Sequence, residues 1–315
     1  MKAKTQTVKS NLGLVCITTT DEVRYKTVTR KRLLSFDEPT QREMLLALYA
    51  ENINRLNSAI EFCTANDIHL YRMTSGLFPF SDEQIGAESL ENFAAQLSVI
   101  GRDALAKNIR LVLHPDQFVV LSSDSEAVIA NSVKILRMHA KTMDLLEQPR
   151  SEWAVMNIHG GKGDRIEKLV DSIEKLPDEI RSRIAFENDE YSYSSAQILE
   201  VCRRANVPMV FDAHHHICRE KLDDYNNQSV EDTFWAARET WKNPENQLVH
   251  ISNGRERFQD RAHHDLIFDM PEVFRFAPWI EVEAKHKEVA IAKLKNEWLN
   301  GKVKISHEQT PKDTK

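Results

Sequence analysis

Short apolar runs recur along this chain, and polar side chains close or follow many of them. Six of the runs are β-prone, four to six residues long, and close on a side chain that can bind a metal ion. They are LVLH (His114), AVMNIH (His159), RIAFE (Glu187), PMVFD (Asp212), QLVH (His250) and WIEVE (Glu283). A parallel barrel gathers the carboxyl ends of its strands on one face, where its active sites lie. We therefore expect these six side chains to converge on one pocket.

Two further strands, 11–17 and 68–73, precede these runs, and helix-like sequence lies between most neighbouring strands. The predicted helices span 39–66, 87–107, 125–147, 164–176, 194–205, 229–241 and 285–299. This alternation implies right-handed parallel crossovers, and eight such units close into a single-domain (β/α)8 barrel of the TIM type. An open doubly wound sheet is the rival fold, but it usually carries GxGxxG after its first strand, and this sequence does not. The barrel is therefore favoured.

The chain of 315 residues is long enough for one such barrel, which we assign to 1–300. Residues 301–315 form a polar tail that we expect to be disordered, and 252–276 is predicted as a long loop over the pocket mouth. No apolar run is long enough to span a membrane, and the first residues lack the apolar stretch of a signal peptide. The four cysteines show no ligand spacing, so we expect buried reduced thiols in a cytoplasmic protein. We also expect the protein to be a monomer.

The net charge of −6 argues mildly against a general nucleic-acid binder. Two features could offset it locally. A basic cluster, VRYKTVTRKRLL, includes Arg30 and Arg32, although a cluster of this kind is usually solvated surface. Divalent cations in the pocket would also add positive charge where a phosphate could lie.

Three of the strand-closing side chains are carboxylates, namely Glu187, Asp212 and Glu283. Burial of an unpartnered carboxylate costs several kcal/mol, so either an Arg or Lys side chain or a metal ion must meet them. A lone histidine at a strand end is more often a hydrogen-bonded loop residue than a ligand. Three histidines at equivalent positions nevertheless favour metal, and a mixed His and carboxylate set suits Zn²⁺ or Mn²⁺ better than Mg²⁺ or Ca²⁺.

The segment DAHHH adds a second ligand close to Asp212, because His215 follows it by three residues. Either His263 or His264 of RAHHD could complete a site with His215, whereas the flanking histidines, His214 and His216, should point elsewhere. Glu187 lies centrally in the strand order and could bridge two ions, which together can clamp the attacking and leaving oxygens of a phosphodiester.

Eight motifs in this order resemble the ultraviolet damage endonuclease family (UvsE/UVDE), whose TIM barrels are related in architecture to endonuclease IV. They are NLGLVC, TRKRL, YRMTSGLFPF, HPDQF, NIHGGKGD, FENDE, FDAHHH and VEAKHKE. The resemblance implies an enzyme that nicks ultraviolet-damaged double-stranded DNA immediately 5′ to cyclobutane dimers and 6-4 products. It would leave a 3′-hydroxyl and a 5′-phosphate. Two or three divalent ions are implied, with Mn²⁺ the usual activator and Zn²⁺ or Mg²⁺ as alternatives.

The resemblance also implies roles for individual residues. One ion would have the ligands His114, His159 and Glu187. The central ions would share Glu187, Asp212, His250 and Glu283, and the remaining pair of ligands is His215 and His263. Among these, Glu187, Asp212 and Glu283 are the expected catalytic carboxylates. Gln117 and Phe118 correspond to the pair that the family inserts at the lesion. Apart from the resemblance, Lys285 is a candidate contact to the phosphate because it lies two residues after Glu283, with a solvated surface lysine as the alternative, and Arg30 and Arg32 of the basic cluster are candidate DNA contacts.

Three positions depart from the family pattern. Leu248 replaces a lysine that contacts metal in the family, so a full trinuclear cluster is not assured. Asp82 or Glu83 replaces a histidine, and either could still bind metal as an oxygen donor. Leu14 replaces a tyrosine of the first strand, a change expected to affect lesion contacts more than chemistry.

Two other functions stay open from the sequence. A sugar isomerase or epimerase of the xylose-isomerase type also uses Glu, Asp and His ligands, although an amide and an aromatic after a ligand suit insertion into a base stack. A damage-recognition protein without activity would have no need of six retained ligands.

Overall fold

The computed structural model describes residues 9–116 and 118–300. Eight parallel strands follow one another in chain order around a closed barrel, which confirms the predicted (β/α)8 fold. β1 pairs with both β2 and β8, with Gly13 level with Leu70 and with Glu281, so the sheet has no free edge. The strands are β1 (Asn11–Val15), β2 (Leu70–Met73), β3 (Arg110–Leu113), β4 (Met156–His159), β5 (Ile184–Glu187), β6 (Met209–Asp212), β7 (Leu248–Ile251) and β8 (Trp279–Val282).

Helices connect the strands on the outside of the barrel. They are α1 (Arg30–Leu33), α2 (Glu38–Ala65), α3 (Gln84–Glu91), α4 (Ala94–Ala106), α5 (Glu126–Leu145), α6 (Ile166–Glu174), α7 (Asp178–Arg181), α8 (Ser195–Ala205), α9 (Ala213–Glu220), α10 (Gln228–Arg238) and α11 (Lys287–Leu294). Polar side chains fix where several of them begin. Asp37 accepts the Thr40 amide at the start of α2, and Ser194 with Gln197 forms a capping box at α8.

The predicted helices are found, with differences at their boundaries. The segment predicted as one helix over 87–107 is two, α3 and α4, which are separated at Asn92 and Phe93. The last helix ends at Leu294 and continues as a π-helical turn over Lys295–Leu299. Three short helices were not predicted, namely α1, α7 and α9, because each is too short to show a helical period. The predicted tail, 301–315, lies outside the described residues.

Alternate residues of each strand face the helices or the barrel interior. The outward residues, such as Leu14, Tyr71 and Phe211, are buried against the helices in the main core. The inward residues form an apolar layer at the middle of the barrel, which includes Val112 and Leu248. This layer closes the interior below the carboxyl ends of the strands, so it separates the polar inward residues of that face from the amino end of the barrel.

The amino end of the barrel holds a buried arginine, Arg110, in a box of three tryptophans. Its guanidinium carbon lies 5.3 to 5.8 Å from the rings of Trp153, Trp241 and Trp279. The carbonyls of Glu152, Trp153 and Asn246 accept its N–H groups at 2.7 to 2.9 Å. Burial lowers the pKa of Arg110 to about 9. This cluster packs the amino end of the barrel, which is the end away from the polar pocket.

The four cysteines are free thiols, as predicted. Cys63 and Cys202 are buried, and burial raises the pKa of Cys63 to about 12, whereas Cys16 and Cys218 are only partly buried. Among the described helices, none combines the length and the apolar character that a membrane crossing would need.

Candidate metal centre

The six strand-end side chains predicted to converge do so. Together with His215, their ligand atoms form three groups, and within each group the atoms lie within 4.8 Å of one another. The groups are His114, His159 and Glu187; Glu187, Asp212 and His215; and Asp212, His250 and Glu283. Glu187 and Asp212 each belong to two groups, so the three form a continuous cluster. Because histidine nitrogens and carboxylate oxygens are ligands for divalent transition metals, each group could hold an ion.

Glu187, the last residue of β5, is the centre of this cluster. Its carboxylate lies 3.2 Å from His114 Nε2 and 3.3 Å from Nδ1 of both His215 and His250. The amide of Asn157 on β4 also donates to it. Burial raises the pKa of Glu187, but the surrounding imidazoles, His250 first, outweigh burial and hold the pKa well below its usual value. Glu187 is therefore ionised, as a bridging ligand must be.

Asp212 and His215 are brought together by the start of a helix. Asp212 closes β6 and caps α9, since its Oδ1 accepts the His215 backbone N–H at 2.7 Å. The Asn188 carbonyl lies 2.9 Å from Nδ1 of His215, so the other ring nitrogen, Nε2, is available to bind a metal ion. Glu190 lies beside this nitrogen, with Oε2 3.6 Å from it. The three-residue spacing seen in the sequence is thus the spacing of a helix cap.

Several polar atoms of the cluster are buried without a hydrogen-bond partner in the part of the chain that the structure describes. They are Nδ1 of His159, Oδ2 of Asp212 and Nδ1 of His250, the last of which is 3.3 Å from the Glu187 carboxylate but outside hydrogen-bond geometry. A buried polar atom without a partner costs roughly 1–3 kcal/mol, so three of them at one place would be destabilising without a further group. All three belong to the metal-ligand groups described above, and a cation would satisfy them together. The residues present therefore fit divalent metal ions.

Two buried residues of the site were missed by the sequence analysis. Arg72 on β2 lies 2.8 Å from Oε2 of Glu281 and 2.5 Å from Oε1 of Glu283. Glu281 in turn contacts Nε2 of His250 at 2.7 Å, which turns Nδ1 of that ring towards Glu187. Arg72 thus supplies part of the positive charge that the strand-end carboxylates were expected to need. Both residues lie within apolar strands rather than at their ends, so the strand-end pattern could not single them out.

The remaining predicted residues that the structure describes lie outside the three ligand groups. His263 is outside the three groups, with Nδ1 3.8 Å from Oε2 of Glu283, and Lys285 is exposed. Phe118 is 69% exposed in the loop after β3, so it is not a core residue. Arg30 forms an ion pair with Glu83, whereas Arg32 is exposed. Gln117 lies outside the described residues.

The other histidines of DAHHH have structural partners, as their predicted direction away from the pocket requires. His214 lies 2.6 Å from the Tyr225 hydroxyl and 2.7 Å from the Asp260 carbonyl. His216 lies between the hydroxyls of Ser195 and Ser229, at 2.9 and 3.1 Å.

The residues at the three positions that depart from the family pattern lie outside the three ligand groups. Leu248 lies two residues before His250 in β7, so both face the barrel interior. It is fully buried in the apolar layer and offers no ligand atom. Asp82 pairs with Lys134 at 2.9 Å and Glu83 pairs with Arg30, so both acidic groups lie in ion pairs outside the three groups. Leu14 packs in the core against the helices rather than in the pocket.

Fold and site together define a class: a (β/α)8 barrel whose strand ends carry a histidine and carboxylate cluster able to hold metal ions. The family model described as UV-endonuclease UvdE matches residues 10–310. The chain therefore belongs to the UV-endonuclease UvdE family, as the motifs predicted.

Similar proteins agree with this assignment. The UV DNA damage endonuclease of Nostoc sp. (strain PCC 7120) is 55% identical over 292 residues, which cover 92% of this chain and 91% of the relative. The UV DNA damage endonuclease of Deinococcus radiodurans is 45% identical over 287 residues, with 90% and 94% covered. The crystal structure of SacUVDE matches with a TM-score of 0.77 and 25% identity over 91% of this chain and 98% of that one.

The sugar isomerase or epimerase considered as an alternative is not supported. Family membership assigns the chain to the UV endonucleases.

Proposed function

We propose that this chain hydrolyses a phosphodiester bond of duplex DNA immediately 5′ to cyclobutane pyrimidine dimers and 6-4 products. The products would be a 3′-hydroxyl and a 5′-phosphate. One observation carries the proposal. Three candidate ligand groups meet through Glu187 and Asp212, in a chain that is 55% identical to a UV DNA damage endonuclease over 92% of its length.

We propose that the site holds two or three divalent ions. Mn²⁺ suits the mixed nitrogen and oxygen ligands, with Zn²⁺ or Mg²⁺ as alternatives. The residues that would hold them are His114, His159, Glu187, Asp212, His215, His250, His263 and Glu283. Ions bound in this way lower the pKa of a coordinated water and offset the charge of a phosphate.

The protein's own groups position the reaction. Glu187, Asp212 and Glu283 act as the catalytic carboxylates, since their oxygens surround the space between the imidazoles. Arg72 orients Glu283 through their 2.5 Å contact. Lys285, two residues after Glu283 and exposed at the rim, is placed to contact a phosphate oxygen.

Lesion recognition is proposed for the loop after β3. Phe118 is exposed and free to enter a base stack, with Gln117 beside it. A photodimer weakens stacking and pairing, so opening the duplex there costs less than at normal base pairs. Arg32 is available to the DNA backbone, whereas Arg30 would first have to leave Glu83. Because every candidate ligand comes from one chain, we propose that the enzyme acts as a monomer, and a DNA substrate agrees with the cytoplasmic location expected from the sequence.

A nicking assay tests this proposal directly. The substrate is a duplex with one defined dimer, labelled at either end in separate reactions so that the position of the nick can be read. We expect one nick immediately 5′ to the dimer with Mn²⁺ and none with EDTA or on the undamaged duplex. Cleavage that persists in EDTA would contradict metal dependence, and no cleavage with any of the three ions would contradict the function.

A further inference from the structure

A short hairpin rises from the candidate metal centre after β7, over residues 254–263. A β-bridge between Gly254 and His263 closes its base, and the Arg255 backbone N–H donates to the Ala262 carbonyl at 2.8 Å. At that base, His263 lies 3.8 Å from the candidate ligand Glu283. The hairpin therefore begins at the pocket and projects from its rim.

The hairpin is held in one shape by interactions of its own. Both oxygens of the Asp260 carboxylate accept backbone N–H groups, from Ala262 at 3.1 Å and Glu256 at 3.2 Å. The Asp260 carbonyl also lies 2.7 Å from Nε2 of His214 on α9. A loop ordered in this way before a partner binds loses little conformational entropy on binding.

Three arginines project from this hairpin, and their environment differs from that of most arginines on the surface. Arg42, Arg150 and Arg204 are ion-paired at 2.5 to 2.8 Å with Glu88, Asp144 and Glu167. By contrast, the hairpin arginines make no ion pair with any carboxylate of residues 9–116 and 118–300. These are Arg255, Arg257 and Arg261, and all three are exposed.

Arg261 is supported by an aromatic ring from a neighbouring loop. Its guanidinium carbon lies 3.7 Å from the centre of the Tyr191 ring, and it donates to the Tyr191 hydroxyl. Tyr191 is 62% exposed, and Arg219 of α9 donates to its carbonyl. Tyr191 directly follows Glu190, which contacts His215 of the candidate centre. The stacked pair therefore lies on the same rim, and it leaves the remaining edge of the guanidinium available.

The strand order places this hairpin across the pocket from Phe118. In a closed barrel of eight strands in sequence order, β3 and β7 are diametrically opposite. Phe118 follows β3 and the hairpin follows β7, so a duplex that presents a lesion to Phe118 runs over the pocket towards the arginines. The planar fork of an arginine matches the oxygens of a phosphate, and such contacts position DNA without reading its sequence.

We propose that the hairpin 254–263 is a phosphate clamp, in which Arg255, Arg257 and Arg261 bind the backbone of the DNA duplex opposite the Phe118 loop. This inference rests on the proposed function, because it takes duplex DNA as the partner. The hairpin also contains Glu256 and Asp260, so its three arginines leave a net charge of about +1, against −6 for the whole chain. The clamp would therefore act through the individual arginines, none of which is in an ion pair among the described residues.

The test measures affinity for an undamaged duplex as a function of salt, with the Mn²⁺-loaded protein. Each lost phosphate contact lowers the slope of log K against log salt by about 0.9. Arg255→Gln/Arg257→Gln should therefore lower the slope by about 1.8, and adding Arg261→Gln should lower it by about 2.7 in total. The ratio of damaged to undamaged affinity should stay unchanged, because the phosphate contacts are common to both.

The matched control is Arg203→Gln/Arg204→Gln on α8, which changes the net charge equally but removes ion-paired arginines on the outside of the barrel. If the hairpin double variant has the slope and affinity of this control, the clamp is wrong, whether or not the protein nicks DNA. If the slope falls as expected but the wild-type protein nicks no damaged duplex, the clamp stands and the proposed function fails.

Discussion

At the scale of single residues, Glu187 is the centre of the candidate metal site. It lies in two of the three ligand groups and is buried among imidazoles that hold its pKa well below the usual value. The sequence could predict its place in the cluster, because a glutamate that closes the apolar run RIAFE needs a cation and lies centrally in the strand order.

We expect Glu187→Gln to abolish cleavage and leave the fold intact. The amide has nearly the same volume but cannot bridge two cations as a carboxylate does. The variant should nick at less than about a tenth of the wild-type rate, which corresponds to at least roughly 1.4 kcal/mol of barrier. Glu43→Gln on the exposed face of α2 serves as the control. Normal metal content with a higher rate would show that Glu187 does not bridge.

Substitution of His159 or His250 by Ala should lower the metal bound per chain. Both rings belong to the candidate ligand groups, and each has a buried nitrogen that makes no hydrogen bond among the described residues. Elemental analysis after dialysis measures the effect, with His69→Ala as a control, since that ring pairs with Asp67. Unchanged stoichiometry in both variants would mean that the two histidines are not ligands.

Phe118→Ala should reduce the preference for damaged over undamaged duplex by roughly tenfold to a hundredfold. Stacking of an aromatic ring on a base contributes about 1–3 kcal/mol, and this ring is exposed rather than packed. Metal content, affinity for undamaged DNA and melting temperature should stay close to those of the wild type. A large fall in melting temperature with the preference kept would remove Phe118 from lesion recognition.

At the scale of elements, the strand ends could be predicted because an apolar run and its closing polar residue are local features. Six of the seven side chains in the three ligand groups follow from that pattern, and His215 follows from its spacing to Asp212 in DAHHH. Arg72 and Glu281 could not be predicted, since each lies inside a strand and its partner is more than 200 residues away or on a neighbouring strand. The same limit applies to Arg30, whose ion pair with Glu83 no local pattern reveals.

The hairpin 254–263 depends on a glycine at its base. A Cβ at Gly254 would lie 2.0 Å from the Arg257 carbonyl oxygen, so any side chain there forces the turn open. We expect Gly254→Ala to lower duplex affinity and its salt slope, while the melting temperature changes little because the hairpin is largely exposed. Gly76→Ala is the control, since its Cβ would meet only Thr74 Oγ1 at 3.9 Å. Wild-type affinity in Gly254→Ala would show that hairpin geometry does not contribute to binding.

At the scale of the whole molecule, a bound metal ion would compete with a proton for the His250 ring. Burial lowers the pKa of His250, but Glu187 and Glu281 outweigh it and hold the pKa well above 6.5. In the metal-free chain, the charged ring therefore contributes stability that is fully present below about pH 6.5 and is lost as the pH rises through the folded-state pKa. A metal ion needs the neutral ring.

It follows that the rise in melting temperature on replacing EDTA by Mn²⁺ should grow as the pH is raised from about 6 to about 9. Comparing the two conditions at each pH cancels the titration of histidines outside the site. His250→Ala should weaken this dependence. An increment that is the same across the range would show that no protonated histidine competes with the ion.

The box around Arg110 determines what can be observed optically. Three of the five tryptophans surround that guanidinium at the amino end of the barrel. The other two, Trp235 and Trp298, pack against Phe276 and Arg275. Intrinsic tryptophan fluorescence will therefore follow unfolding of the barrel but stay nearly silent when metal or DNA occupies the opposite face. Tryptophan fluorescence thus measures folding of the barrel independently of whether the opposite face is loaded.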